Sequence, residues 1–228
     1  AAGAEANNVG VGSNALLAIT TGQANVAVGY QAGLAQTSAY YNTSIGYQAN
    51  KVTNANANTA LGYLAHGGDG TENTALGSYA MDNASGQADM CIAIGNSSLR
   101  GDLTADADGT VAVGRSALNA LTSGQKNVAL GYQAGLETTI GDSNIAIGYQ
   151  ALVGDGAFQN NDNIAIGSSN PDGTLAEPPI KKNKKSNVRV NELWMPTDEI
   201  FASAFGFDLE RNNDLAAQTK AAGGQAEA

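Results

Sequence analysis

The chain has 228 residues, including 29 glycines, 41 alanines and 24 asparagines, with only 6% aromatic and 14% charged residues. Large apolar side chains are too sparse for a thick globular core, and no run approaches the roughly 18 apolar residues of a membrane span. The net charge of −10, from 11 basic and 21 acidic groups, argues against nucleic-acid binding through a general basic surface, which takes clustered Lys and Arg. So much Gly, Ala and Asn ordinarily signals disorder, but here the glycines are regularly spaced. The N-terminus has no basic region followed by an apolar run, so no signal peptide is expected there. An Ala at position 1 fits a trimmed cytosolic product and a processed fragment equally. The lone cysteine, Cys91, has no intrachain partner for a disulfide.

In chain order, ten segments share one pattern: Asn8–Gly12, Asn25–Gly29, Asn42–Gly46, Asn58–Gly62, Asn73–Gly77, Cys91–Gly95, Thr110–Gly114, Asn127–Gly131, Asn144–Gly148 and Asn163–Gly167. The closing glycines lie 15–19 residues apart. Before each Gly stands a large aliphatic, two before it a small residue, and three before it Val, Ile or Thr. Alternation with period two and β-branched enrichment predict a short strand in every segment. The aliphatic column is expected to be buried, and the small column to lie under a second, closely packed surface. The Gly suits positive φ or a close backbone approach. Asn, four before Gly in eight of the ten segments, tolerates left-handed backbone, caps turns and stacks into ladders. Cys91 and Thr110 take its place in the other two, which makes Cys91 a turn or ladder residue and not a reactive thiol.

A strand every 17 residues or so predicts a solenoid in which each repeat is one coil and contacts only its neighbours. At about 4.8 Å per coil, the ten coils make a rod on the order of 50 Å long. The expected fold is all-β, a parallel β-roll or solenoid of about ten coils.

The motif Asn-x-Ala-aliphatic-Gly-Tyr-Gln-Ala, at residues 25–32, 127–134 and 144–151, resembles the YadA-like head repeat of trimeric adhesins. It is more similar still to the variant common in bacteriophage tail fibres. The resemblance covers about residues 8–170. It implies a left-handed parallel β-roll, with three chains side by side around a threefold axis. It also implies a structural fibre protein of a phage, in a tail or head fibre, that attaches to the host surface. The expected location is the virion, and the expected partners are two further copies of the chain, virion or filament neighbours through a terminus, and a host-surface glycan or protein. Nucleic acid and membrane insertion are not expected. A bacterial trimeric surface adhesin or an extracellular filament subunit is the alternative. Autotransporter adhesins carry a C-terminal membrane barrel for which this sequence offers no segment, and the longer coils favour the phage variant. The hexapeptide acyltransferase helix needs three aliphatic-Gly hexads per coil where this chain has one.

Composition changes after residue 170, giving a repetitive roll over 1–170 and a separate segment over 171–228. All four prolines, Trp194 and three of the four phenylalanines lie in the second part, and all eight tyrosines in the first. Lys181, Lys182, Lys184 and Lys185, with Arg189, form the basic cluster. It reads as a solvated or interchain-bridging neck, as the resemblance also implies, or as a contact for anionic polysaccharide or nucleic acid. Val188–Val190 alternates like a strand. Thr197 starts a predicted helix carrying Ile200, Phe201, Ala204 and Phe205, and Leu209–Ala222 reads as a second helix.

No catalytic residues, cofactor or metal site are expected, and the chain does not read as an enzyme. His66, the one histidine, sits in a turn without a nucleophile signature. The loop carrying Asp102, Asp106 and Asp108 lacks the spacing and the terminal Glu of a calcium loop and reads as a solvated turn. The remaining candidate is the column directly after Gly: Tyr30, Tyr47, Tyr63, Tyr132 and Tyr149. Its rings either stack on sugars or cover the roll or an interchain seam.

Overall fold

A computed structural model describes residues 7–51, 54–82, 86–104, 107–153, 161–167 and the backbone of the strand 187–190. Each repeat contributes one strand: β1 Val9–Val11, β2 Val26–Val28, β3 Thr43–Ile45, β4 Thr59–Leu61, β5 Thr74–Leu76, β6 Ile92–Ile94, β7 Val111–Val113, β8 Val128–Leu130, β9 Ile145–Ile147 and β10 Asn163–Ile166. All lie in a single parallel sheet in chain order. The described residues therefore form an all-β solenoid, and none of them is α-helical. Register follows the sequence columns: Val26, Ala27 and Val28 pair with Thr43, Ser44 and Ile45, and every later strand repeats this. Residues four apart from their glycines in sequence thus become stacked neighbours in space.

The expected strand near Val188 forms as β11, Asn187–Val190, and joins the sheet beside β10. Its register sets Asn187 against Asn163 and Arg189 against Ala165. Lys181, Lys182, Lys184, Lys185 and both predicted C-terminal helices lie outside the described residues.

The two faces of the sheet are the reverse of the sequence expectation. The small column points into the roll: Ala27, Ala60, Ala75, Ala93, Ala112 and Ala129 are fully buried, as is Ser44. The aliphatic column points outward, with Val11, Val28, Leu61, Leu76, Leu130 and Ile166 exposed. The reason is the width of the coil. A second small column, three after each Gly, is also buried (Ala32, Ala49, Ala65, Ala80, Ser98, Ala117, Ala134). Two alanine-lined walls close on each other, and a Val or Ile between them would overfill the interior. Larger buried side chains, Leu16, Met81, Leu99, Leu118 and Leu152, enter from the corner four residues after Gly.

The Gly column answers both expectations made for it. At Gly95 φ is +127°, and an added Cβ would sit 2.6 Å from the Gly114 carbonyl oxygen of the next coil. Side chains are therefore excluded by backbone conformation and by coil spacing together. The other left-handed corners are filled mostly by residues other than glycine, with Gly33, Gly109 and Gly135 as exceptions. All described non-glycine residues with positive φ fall in three columns: five before Gly (Ala24, Tyr41, Lys126), two after it (Gln31, Tyr79, Gln133) and four after it (Leu16, Met81, Leu118). The left-handed turn residue is thus the one preceding the ladder Asn, not the Asn itself.

The Asn is buried and works through its amide. Asn42 N donates to Asn25 Oδ1 (2.9 Å), Asn58 N to Asn42 Oδ1 (2.8 Å) and Asn73 N to Asn58 Oδ1 (2.9 Å). In five of these asparagines Nδ2 donates forward to a loop carbonyl of the next coil, Asn25 to Ala39, Asn42 to Ala55, Asn58 to Gly70, Asn73 to Ala88 and Asn127 to Gly141, whereas Asn163 Nδ2 turns back to Asn144 Oδ1. The two substitutes keep the forward bond. Cys91 Sγ donates to Ala107 O (3.3 Å) and Thr110 Oγ1 to Gly124 O (3.3 Å). Cys91 is a ladder residue, and burial pushes its thiol up to about 11, so the reactive thiolate is scarce at neutral pH.

From six residues before each Gly to four after it, the coils are equivalent position by position. The difference between 15 and 19 residues falls entirely in the remaining loop.

Candidate functional site

The outer face of the sheet is the largest chemical feature of the roll. Two columns point outward on every strand, one before Gly and one three before it, and nearly all their residues are Val, Ile, Leu or Thr. Among them Val9, Val11, Val28, Leu61, Leu76, Ile92, Leu130 and Ile166 are exposed. Because strands stack in register, these residues form two ridges from β1 to β10, aliphatic throughout in the column before Gly and interrupted by Thr43, Thr59 and Thr74 in the other. A soluble monomer rarely shows a contiguous apolar patch beyond a few hundred Å². No charged side chain interrupts either column through the ten repeats.

The tyrosine column runs beside these ridges. Tyr30 stacks on Tyr47 and Tyr47 on Tyr63, both at 5.2 Å between ring centroids, and Tyr132 stacks on Tyr149 at 5.3 Å. That spacing is the advance of one coil. The five rings are 37–51% exposed; Tyr47 is stacked on both faces and the other four on one. In the adjoining column Gln48 Nε2 donates to Gln31 Oε1 (2.6 Å) and Gln150 Nε2 to Gln133 Oε1 (2.7 Å). The structure brings the predicted tyrosines together as two ladders separated by Ser78, Asn96 and Arg115, which occupy the column between Tyr63 and Tyr132.

Beside the break stands a group absent from the sequence expectations. Tyr79, one position later in its coil, meets Tyr63 edge-on at 5.2 Å. The guanidinium of Arg100 lies 4.7 Å from the Tyr79 ring centre and 3.7 Å from Asp82 Oδ2. Farther along, Arg115 lies over Tyr132 at 5.8 Å. Burial raises the Asp82 carboxyl above its ordinary value, opposed by Arg100 and Lys51. The hydrogen bond with Tyr79 raises the Tyr63 phenol.

Inside the roll, His66 is buried rather than held in an open turn. Its Nδ1 lies 3.0 Å from Asn50 Oδ1 and its Nε2 3.3 Å from Asn73 Nδ2. Asp108 belongs to a second ladder, six residues before Gly. There Thr71 N donates to Asp89 Oδ1 (2.6 Å) and Asp89 N to Asp108 Oδ1 (2.8 Å), while Gln125 N donates to Asp142 Oδ1 (2.9 Å). These carboxylates tie coil to coil. The signal for them was a polar acceptor recurring at Asn56, Asp89, Asp108, Asp142 and Asn161. Among the described residues no cluster of His, Cys, Asp and Glu could hold a metal ion. No helix among them is long and apolar enough to cross a membrane. Arg189 lies in β11, and the four neck lysines lie outside the described residues. Comparison with protein-family models, with curated proteins and with solved structures finds no match to this chain.

Proposed function

We propose that the chain is the rod-forming subunit of a bacteriophage fibre, in the tail or the head of the virion, that attaches the particle to its host. The observation that carries this is the outward aliphatic face. A lone chain would leave two apolar ridges in water along its whole repeat region, and the hydrophobic effect favours covering them. Three copies around a common axis cover all three faces at once with one closed symmetry, so no ridge is left to drive open-ended aggregation. In this reading each coil winds left-handed, the three chains run parallel, and residues 171–228, with Lys181, Lys182, Lys184, Lys185 and Arg189, form a neck at one end. The role is mechanical and multivalent, without catalysis or cofactor: parallel chains on several fibres multiply weak contacts into durable attachment.

Mass photometry or light scattering on the purified chain tests the assembly. The expected mass is three times that of the chain, and a stable monomer would overturn the reading. Electron micrographs of the native source, showing the rod on a virion, on a cell or in free filaments, separate the phage role from a bacterial adhesin or extracellular filament.

A further inference from the structure

The column five residues after Gly changes character along the roll. It reads Leu17, Leu34, Lys51, Gly67, Asp82, Arg100, Asn119, Leu136 and Val153. It is apolar at both ends and charged only in the middle. Residues 1–170 hold four basic side chains, Lys51, Arg100, Arg115 and Lys126, so two of the four fall in this short stretch. The same stretch receives the end of the first tyrosine ladder. Two cations and the end of a tyrosine ladder therefore meet here, on a column that carries no charge toward either end; the other cation on a ring, Arg115 over Tyr132, stands alone in its column.

Arg100 is poorly used by the protein. Its guanidinium is laid against the Tyr79 ring, its contact with Asp82 is a long 3.7 Å, and its Nε is buried without an acceptor. The side chain remains 41% exposed. Stacking on a ring fixes the plane of a guanidinium and leaves its donor edge presented, which is how arginine takes a carboxylate in a forked pair. Asp82 is a partial counter-ion only, since its own burial disfavours the charged form. Lys51, anchored by a 2.8 Å bond from Nζ to Gln48 Oε1, supplies a second cation on the same edge. The half-exposed rings of Tyr47 and Tyr63 continue from this point as an amphipathic strip with a step near one sugar residue.

We infer that this patch is a binding site for an acidic saccharide, with a uronate carboxylate on Arg100 and neighbouring sugar rings along the Tyr63–Tyr47 ladder. The inference rests on the attachment role proposed above and names the ligand class for it.

Isothermal titration of the full chain with trigalacturonate, and with maltotriose as the neutral counterpart, tests the site. Trigalacturonate should bind and maltotriose should not. Arg100→Gln should weaken binding about tenfold or more, the scale of a lost charge-assisted hydrogen bond, and Tyr63→Ser should weaken it severalfold. Lys126→Gln, in the different column five before Gly, should leave it unchanged. Equal binding of both sugars, an unaltered affinity in Arg100→Gln, or no binding of trigalacturonate overturns the inference. Should Arg100→Gln melt early, Lys51→Gln reads the same site without disturbing the stacked pair. Particle mass is measured on the same sample. A trimer that ignores trigalacturonate overturns this site alone, and a monomer that binds it overturns the assembly alone.

Discussion

The imidazole of His66 bridges two coils: Nδ1 donates to Asn50 Oδ1 across 3.0 Å, while Nε2 accepts from Asn73 Nδ2 at 3.3 Å. The tautomer follows from the neighbours. Asn73 Oδ1 is occupied by Cys91 N, so its Nδ2 faces the ring and the ring must accept there. Both ring nitrogens are thus committed in the neutral form, inside an alanine-lined interior.

Protonation breaks this arrangement, and burial lowers the His66 pKa to about 4 from an ordinary 6.5. Between those values the unfolded chain binds the extra proton and the folded chain does not. Stability from this group is therefore complete above about pH 6.5 and is lost as pH falls toward 4, a change of about 3 kcal/mol. Urea unfolding of the wild type at pH 7 and pH 4.5 should show the drop. His66→Leu, matching Leu99 and Leu118 in the same column, should remove most of that pH dependence.

The glycine column should separate two kinds of substitution. Gly95→Ala combines a φ of +127° with a collision against the Gly114 carbonyl and should lose about 3 kcal/mol or more. At Gly109 φ is +67° and the nearest heavy atom to an added Cβ is Lys126 Cγ at 3.8 Å. Gly109→Ala should therefore lose only about 1 kcal/mol. Thermal melting of the pair measures the difference, and equal losses would mean coil spacing contributes nothing.

The inward and outward columns make opposite predictions. Ala93→Val overfills the interior and should destabilise every state of the protein by about 1–3 kcal/mol. Leu130→Thr and Leu61→Thr lie on exposed positions and should leave coil folding nearly unchanged, while raising the dissociation constant of the assembly. Circular dichroism reads the first effect and concentration-dependent mass photometry the second.

Cys91 offers a gain. It keeps the forward hydrogen bond of the ladder through a weak thiol donor but has no amide oxygen for the next coil. Cys91→Asn should restore both bonds and stabilise by about 1 kcal/mol, seen as a raised Tm. In the native wild type the buried thiol should react with Ellman's reagent only on unfolding.

Period, strand positions and register were all legible, because a column of identical residues in a parallel stack has one consistent alignment. The sidedness was not. Alternation at Val26-Ala27-Val28 distinguishes two faces without saying which is inside, and in most sheets the aliphatic face is the buried one. Here a second wall decides it. Ala32 and its equivalents three after Gly are as small as Ala27, and two small columns in one coil mark a narrow interior. Left-handed Leu118 and Tyr79 were hidden for a different reason: closing the coil imposes the corner, and the side chain's own preference has no vote. The Arg100–Tyr79 contact joins different coils and is written in no single repeat. The five tyrosines did announce their ladder, though the break between Tyr63 and Tyr132 gained meaning only from the charges beside it.

The loop that absorbs all the variation in coil length has an evolutionary consequence. Everywhere else an inserted residue would shift a glycine off its carbonyl neighbour or an asparagine off its ladder, and the error would propagate into both adjacent coils. At that one corner the chain can lengthen, shorten or change composition, except at glycines such as Gly70 and Gly101, where an added Cβ would collide with a carbonyl of the next coil. Selection for a new surface can therefore rewrite one edge of the solenoid while the scaffold's reading frame stays fixed.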